Sequence, residues 1–72
     1  MYKEHVGTKL KKAREMAGYT QTQVTDNTNI TQPQLSKIET GKQEPDMEML
    51  GELCDFYEVS ADWVLGTNIK GR

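Results

Sequence analysis

Thr20-x-x-Gln23 and Thr31-x-x-Gln34 stand eleven residues apart, and each reads as a helix start. In such a capping box the hydroxyl accepts from a free backbone N–H. The amide reaches back to the N–H of the cap. Two starts this close leave room for one helix of about two turns and a tight turn before the next. Val24 is the one strong apolar residue of the first of these helices, and Leu35 and Ile38 form the buried side of the second. Asn29 is read as a left-handed turn residue, because Asn tolerates positive φ. Ile30 packs just ahead of the second cap. Pro33 fits the first turn, where backbone N–H groups have no intrahelical partner.

The rest of the chain divides into helical pieces around this pair. Val6, Leu10, Ala13 and Ala17 form one stripe at helical spacing, ended by Gly18, with Tyr19 as a core anchor. Pro45-Asp46 starts a further helix whose stripe is Met49, Leu50, Leu53, Cys54 and Tyr57. Ser60 caps a last short piece, "ADWVL", which Gly66 closes. No strand-period alternation of any length occurs. The expected fold class is therefore all-α, with one domain over residues 1–66 and a tail or linker start over 67–72.

Seventy-two residues lie near the lower limit for a core that holds itself together. Cys54 is alone, so disulfides are excluded. Cys54 and His5 are too few ligands for a zinc site, and no cofactor is expected. His5 is read as lying in a mobile N-terminus. The carboxylates form no catalytic constellation with these two groups, so the chain is expected not to be an enzyme. Cys54 falls on an apolar stripe and reads as core. The four methionines and Trp63 read as packing residues. No apolar run approaches a membrane span and "MYKEHVGTKL" is no signal peptide, so a reduced, cytoplasmic setting is expected.

The net charge of -2 hides an asymmetry. Residues 1–42 carry seven basic and four acidic side chains, and residues 43–72 carry two basic and seven acidic ones. That suggests a positive working face and an acidic back. Around the third helix, Leu35 and Ile38 face inward. Gln32, Pro33, Ser36, Lys37 and Thr40 fall on the other side. That side is polar apart from Pro33 and carries no carboxylate, while Glu39 borders the buried stripe. Two short capped helices joined by a tight turn make a helix-turn-helix. A helix lying in a DNA groove needs little core on its outer side and needs donors and acceptors there instead.

With these residues in place, the sequence resembles the Cro/cI-type helix-turn-helix family, also called the XRE family. The stretches that carry the resemblance are "LKKAREMAGYTQTQV", "NITQPQLSKIETGKQEP" and "LCDFYEVSADWVLG", which need no gap over about Val6 to Gly66. The resemblance implies a compact five-helix bundle of the lambda-repressor-like type. It also implies a sequence-specific binder of double-stranded DNA, a transcriptional regulator that acts as a repressor. Such a protein reads the major groove with its third helix, about Thr31 to Thr40, as a homodimer on an inverted repeat. It makes Gln32, Pro33, Ser36 and Lys37 the base-contacting positions. Thr20, Gln21, Thr40 and Lys42 become the phosphate-contacting ones. Arg14 and Glu39 match a structural ion pair, and Trp63, Val64 and Ile69 match a dimer surface. The alternative is a protein-interaction module, or an antitoxin-like partner-binding domain, on the same scaffold.

Three residues depart from the family pattern. Thr25 and Thr28 stand where small or apolar residues are usual, so their hydroxyls are expected to bond back to helix carbonyls. Glu58 stands where Gly or Asn is usual at a helix end. A left-handed conformation there costs about 1 kcal/mol.

Overall fold

The structure is a computed structural model that describes the backbone of residues 2–66 and the side chains of residues 5–66. Five helices follow one another: α1 Tyr2–Ala17, α2 Gln21–Asp26, α3 Gln32–Glu39, α4 Met47–Tyr57 and α5 Ala61–Leu65. Among the described residues there is no strand. Each of the last four helices begins at a polar cap. Thr20 and Thr31 each close both halves of a capping box. The Asp46 carboxylate accepts from Met49 N at 2.8 Å, and the Ser60 hydroxyl accepts from Trp63 N at 3.1 Å. These side chains satisfy N–H groups that the helix cannot, worth about 1 kcal/mol per cap.

The long helix α1 is the spine, lying against α3, α4 and α5, while α2 packs on α3. Its stripe of Val6, Leu10 and Ala13 joins Val24, Ile30, Leu35, Ile38, Leu53, Cys54, Tyr57 and Val64 in a single core. Leu10, Leu35, Ile38 and Leu53 have no exposed surface. Truncating any one of them to Ala would cost about 2–5 kcal/mol. Tyr19 packs at a tilt against Phe56, with ring centroids 4.8 Å apart and ring planes at 36°. It thereby fastens the α1–α2 connection to α4.

Four details differ from the sequence reading. α1 starts at Tyr2, so His5 is on a helix and its imidazole lies against Gly66. Asn29 is not left-handed; Glu58, at φ 59°, is the one non-glycine residue with positive φ among those described. The Asn29 turn is held from outside instead, its N–H donating to Glu52 Oε2 on α4 at 2.9 Å. Met16 and Met47 are 68% and 89% exposed, so these two are not packing residues. Val64 is completely buried inside the protomer and cannot also form a dimer surface.

The two unusual threonines bond as expected. Thr25 Oγ1 donates to the Thr22 carbonyl at 3.2 Å and Thr28 Oγ1 to the Val24 carbonyl at 2.9 Å. Gly51, in the middle of α4, is exposed, and a Cβ there would meet nothing within 4 Å. Gly51→Ala is therefore expected to stabilise the protein by about 1 kcal/mol through helix propensity alone. Urea unfolding at constant slope measures it. An unchanged or lower midpoint would contradict the exposed-helix environment.

No helix among the described residues is long and apolar enough to cross a membrane. Among the described residues no group of three or more His, Cys, Asp or Glu side chains is placed to hold a metal ion.

Candidate nucleic-acid interface

Because Leu35 and Ile38 pull one side of α3 into the core, its other side is forced outward. Gln32, Pro33, Lys37 and Thr40 are exposed there and Ser36 is half-buried. Lys42, in the turn after α3, is exposed too. Thr20 and Gln21, at the start of α2, are exposed and half-buried. Gln21 and Gln32 each take the first position of a helix, directly after a capping Thr. The eleven-residue repeat therefore sets them side by side, with Gln32 Nε2 donating to Gln21 Oε1 at 2.9 Å.

Glu39 lies behind this pair. Its side chain is 2% exposed and Arg14's is 11% exposed. Arg14 Nε donates to Glu39 Oε2 at 2.7 Å and Arg14 Nη2 to Glu39 Oε1 at 3.1 Å, a forked contact. Arg14 Nη1 donates to the Tyr19 carbonyl at 2.8 Å. One guanidinium thus ties α1, the α1–α2 connection and the end of α3 together. The hydrogen bond and charge of Glu39 hold Arg14 more firmly protonated than usual, against the effect of burial. Tyr57 sits close enough to feel both charges. Burial pushes its phenol well above the usual range, Glu39 adds to this and Arg14 opposes it. The Tyr57 hydroxyl is buried with no hydrogen-bond partner among the described residues. Burial likewise pushes the Cys54 thiol up, as suits an inert core position.

Besides Gln21 and Gln32, two more of the expected contact residues are already engaged. Thr20 Oγ1 accepts from Gln23 N at 3.1 Å as part of its box. Thr40 Oγ1 donates to the Ser36 carbonyl at 2.9 Å, so in this rotamer its proton is turned back into the helix. Lys37 and Lys42 remain the clear cationic donors of this surface. Glu39 is neutralised by Arg14, so α3 shows no exposed carboxylate of its own. The acidic groups of the C-terminal half gather instead on α4 and its flanks, at Glu44, Asp46, Glu48, Glu52, Asp55 and Glu58. Of the residues expected at a dimer surface, Trp63 is half-buried beneath Lys9, whose Nζ lies 4.3 Å from the ring centroid. Val64 is core, and Ile69 lies outside the described residues.

What sequence reasoning missed is the coupling of Gln21 to Glu39: Gln21 Nε2 donates to Glu39 Oε1 at 3.0 Å. The matching first positions of Gln21 and Gln32 were a signal for their contact. Nothing local signals the contact across eighteen residues.

Two capped helices, joined by a short turn and crossing so that the second shows a polar, carboxylate-free face, define a helix-turn-helix protein. Residues 10–64 match the helix-turn-helix family, and the chain belongs to it. The family is not one of enzymes. Over 61 residues the chain is 41% identical to the HTH-type transcriptional regulator ImmR of Bacillus subtilis (strain 168), covering 85% of this chain and 48% of that protein. It is 41% identical over 65 residues to the SPbeta prophage-derived uncharacterized HTH-type transcriptional regulator YonR of the same organism, covering 89% and 60%. With the transcriptional regulator ClgR of Mycobacterium tuberculosis the identity is 34% over 65 residues, covering 90% and 58%. The chain thus spans about half to three fifths of the length of these relatives. No solved structure matches the chain at comparable significance.

Proposed function

We propose that this chain is a sequence-specific double-stranded DNA-binding regulator of transcription, acting in the cytoplasm. In this reading α3 enters the major groove. Gln32 and Lys37 read bases there, with Pro33 and Ser36 beside them. Gln21 and Lys42, with Thr20 and Thr40 at the margins, position the protein on phosphates. The observation that carries the reading is the outward face of α3: an amide and an ammonium without an exposed carboxylate, on a helix whose back is locked into the core. A groove lined by phosphates repels carboxylates, and base edges call for donors and acceptors. The relatives described above, all transcriptional regulators by name, agree with it.

Repression is the simplest mode, since a bound domain excludes polymerase without needing any further contact. Binding is as a homodimer on an inverted repeat. One recognition helix covers only a few base pairs, too few to pick a site from a genome. Two copies on a two-fold axis double the site, with half-sites about 34 Å apart.

One experiment tests all of this. Bound sites are selected from a random DNA pool, and variants are then titrated on the selected site and on random DNA. Gln32→Ala and Lys37→Ala are each expected to cost about 1–3 kcal/mol and to relax preference at one base pair. Lys42→Ala is expected to weaken binding to both DNAs alike and to reduce the salt slope by about 1. Uniform loss with unchanged preference for both α3 variants would overturn groove reading. Sedimentation of the saturated complex counts protomers. One chain per duplex, on a site without symmetry, would sink the dimer. A selected site placed over a promoter is expected to silence it, and a rise in transcription would overturn repression.

A further inference from the structure

The Gln21 and Gln32 amides continue a row that begins at a charge. Glu39, forked to Arg14, is a carboxylate, and a carboxylate offers acceptors only. Its Oε1 takes a hydrogen bond from Gln21 Nε2 at 3.0 Å. The Gln21 amide must therefore turn its NH2 group inward, which leaves its Oε1 facing Gln32. An amide oxygen is again an acceptor only, so Gln32 must present its NH2 group in turn, at 2.9 Å. Reversing Gln32 alone would set oxygen against oxygen. Reversing Gln21 would set its oxygen against the carboxylate. Each link takes its direction from the one before, and the first is set by the ion pair with Arg14.

We propose that Glu39, acting through Gln21, is a positioning residue for base recognition: it fixes the polarity of the Gln32 amide and thereby selects adenine over guanine at the base pair Gln32 faces. The inference rests on the reading above that α3 lies in the major groove. One N–H of Gln32 Nε2 is spent on Gln21. The second N–H and Oε1 remain, one donor beside one acceptor. Adenine shows the complement of that pair, the N7 acceptor beside the N6 amino donor. Guanine shows two acceptors, N7 and O6. To meet guanine O6 with a donor, the Gln32 amide has to turn over, which breaks its bond to Gln21. An untied glutamine turns freely and discriminates less. Lys37, which takes no part in the row, reads its base pair independently.

The test uses two variants and the selected site, with the base pair read by Gln32 identified from Gln32→Ala. Gln21→Met removes the middle link but leaves Arg14 and Glu39 paired. Glu39→Gln puts an amide where the carboxylate was, so the row can run in either direction. Competition binding at fixed salt compares the selected site with one changed only from adenine to guanine at that position. Both variants are expected to lose affinity for every DNA, Gln21→Met through its phosphate contact, so the ratio is the readout. The adenine-to-guanine ratio should fall by a factor of about 5 or more, given what one bidentate contact discriminates. Preference at the Lys37 base pair should stay as in the unaltered protein. Retention of the full adenine preference by either variant would overturn the proposal, and Gln21→Met can still overturn it should Glu39→Gln fail to fold. If Gln32→Ala changes no base preference at all, the groove reading itself falls and the inference with it. That outcome is distinct from a Gln32-dependent preference that survives Gln21→Met.

Discussion

Arg14→Met is expected to destabilise the protein by about 3–5 kcal/mol, the size seen when one partner of a buried ion pair is removed. Glu39 would be left 2% exposed with a full charge and no cation beside it. The Tyr19 carbonyl would lose its donor as well. Glu39→Leu alone should also be costly, since it leaves the guanidinium with only that carbonyl. The double variant removes both charges and fills the space with apolar atoms, so it should cost less than Arg14→Met by itself. Urea midpoints at constant slope give the three free energies. A coupling of about 0.5–3 kcal/mol is expected between contacting groups. Simple additivity would show that the pair contributes nothing to stability. For a chain this short, a loss of 3–5 kcal/mol approaches the whole stability usual for small domains.

The placement of this pair shows which features the sequence carries openly. Caps are local, and both capping boxes were legible because Thr, Gln and the N–H groups they satisfy lie within four residues. The core was legible for the same kind of reason, since apolar spacing of three and four marks one side of a helix. Arg14 and Glu39 were legible as groups bordering buried stripes. What they hold together was not, because contacts to Tyr19 and Gln21 depend on how three helices cross. Asn29 failed for a related reason. Its composition suits a left-handed turn, but a carboxylate from α4, twenty-three residues away, meets its N–H directly. Glu58 went the other way: a poor residue for the left-handed region adopts it, at φ 59° and ψ 46°. There the connection between α4 and α5 overrides the local preference, at about 1 kcal/mol.

The clearest case of a residue whose role only the packing reveals is Gly7, and its replacement is the second large effect expected. Read along the chain, Gly7 is a helix-weakening residue inside α1, and Ala there should gain about 1 kcal/mol. In the fold it is where α1 crosses the end of α3. A Cβ on Gly7 would run into the Ile38 carbonyl oxygen, with the Glu39 carbonyl carbon and oxygen each at 3.2 Å. All three are backbone atoms, so no side chain can swing aside. Relief requires α1 and α3 to separate, and that strains the Arg14–Glu39 fork nearby. Overpacking of a rigid contact costs about 1–3 kcal/mol and sometimes more. Gly7→Ala is therefore expected to destabilise by about 2 kcal/mol or more despite its better propensity. Gly51→Ala supplies the internal comparison: the same substitution in an exposed stretch of helix, expected with the opposite sign. Unfolding of the two variants side by side decides. If Gly7→Ala were as stabilising as Gly51→Ala, α1 and α3 would not approach each other at Gly7 as closely as the structure places them, and α3 would lose the backing that aims its polar face outward.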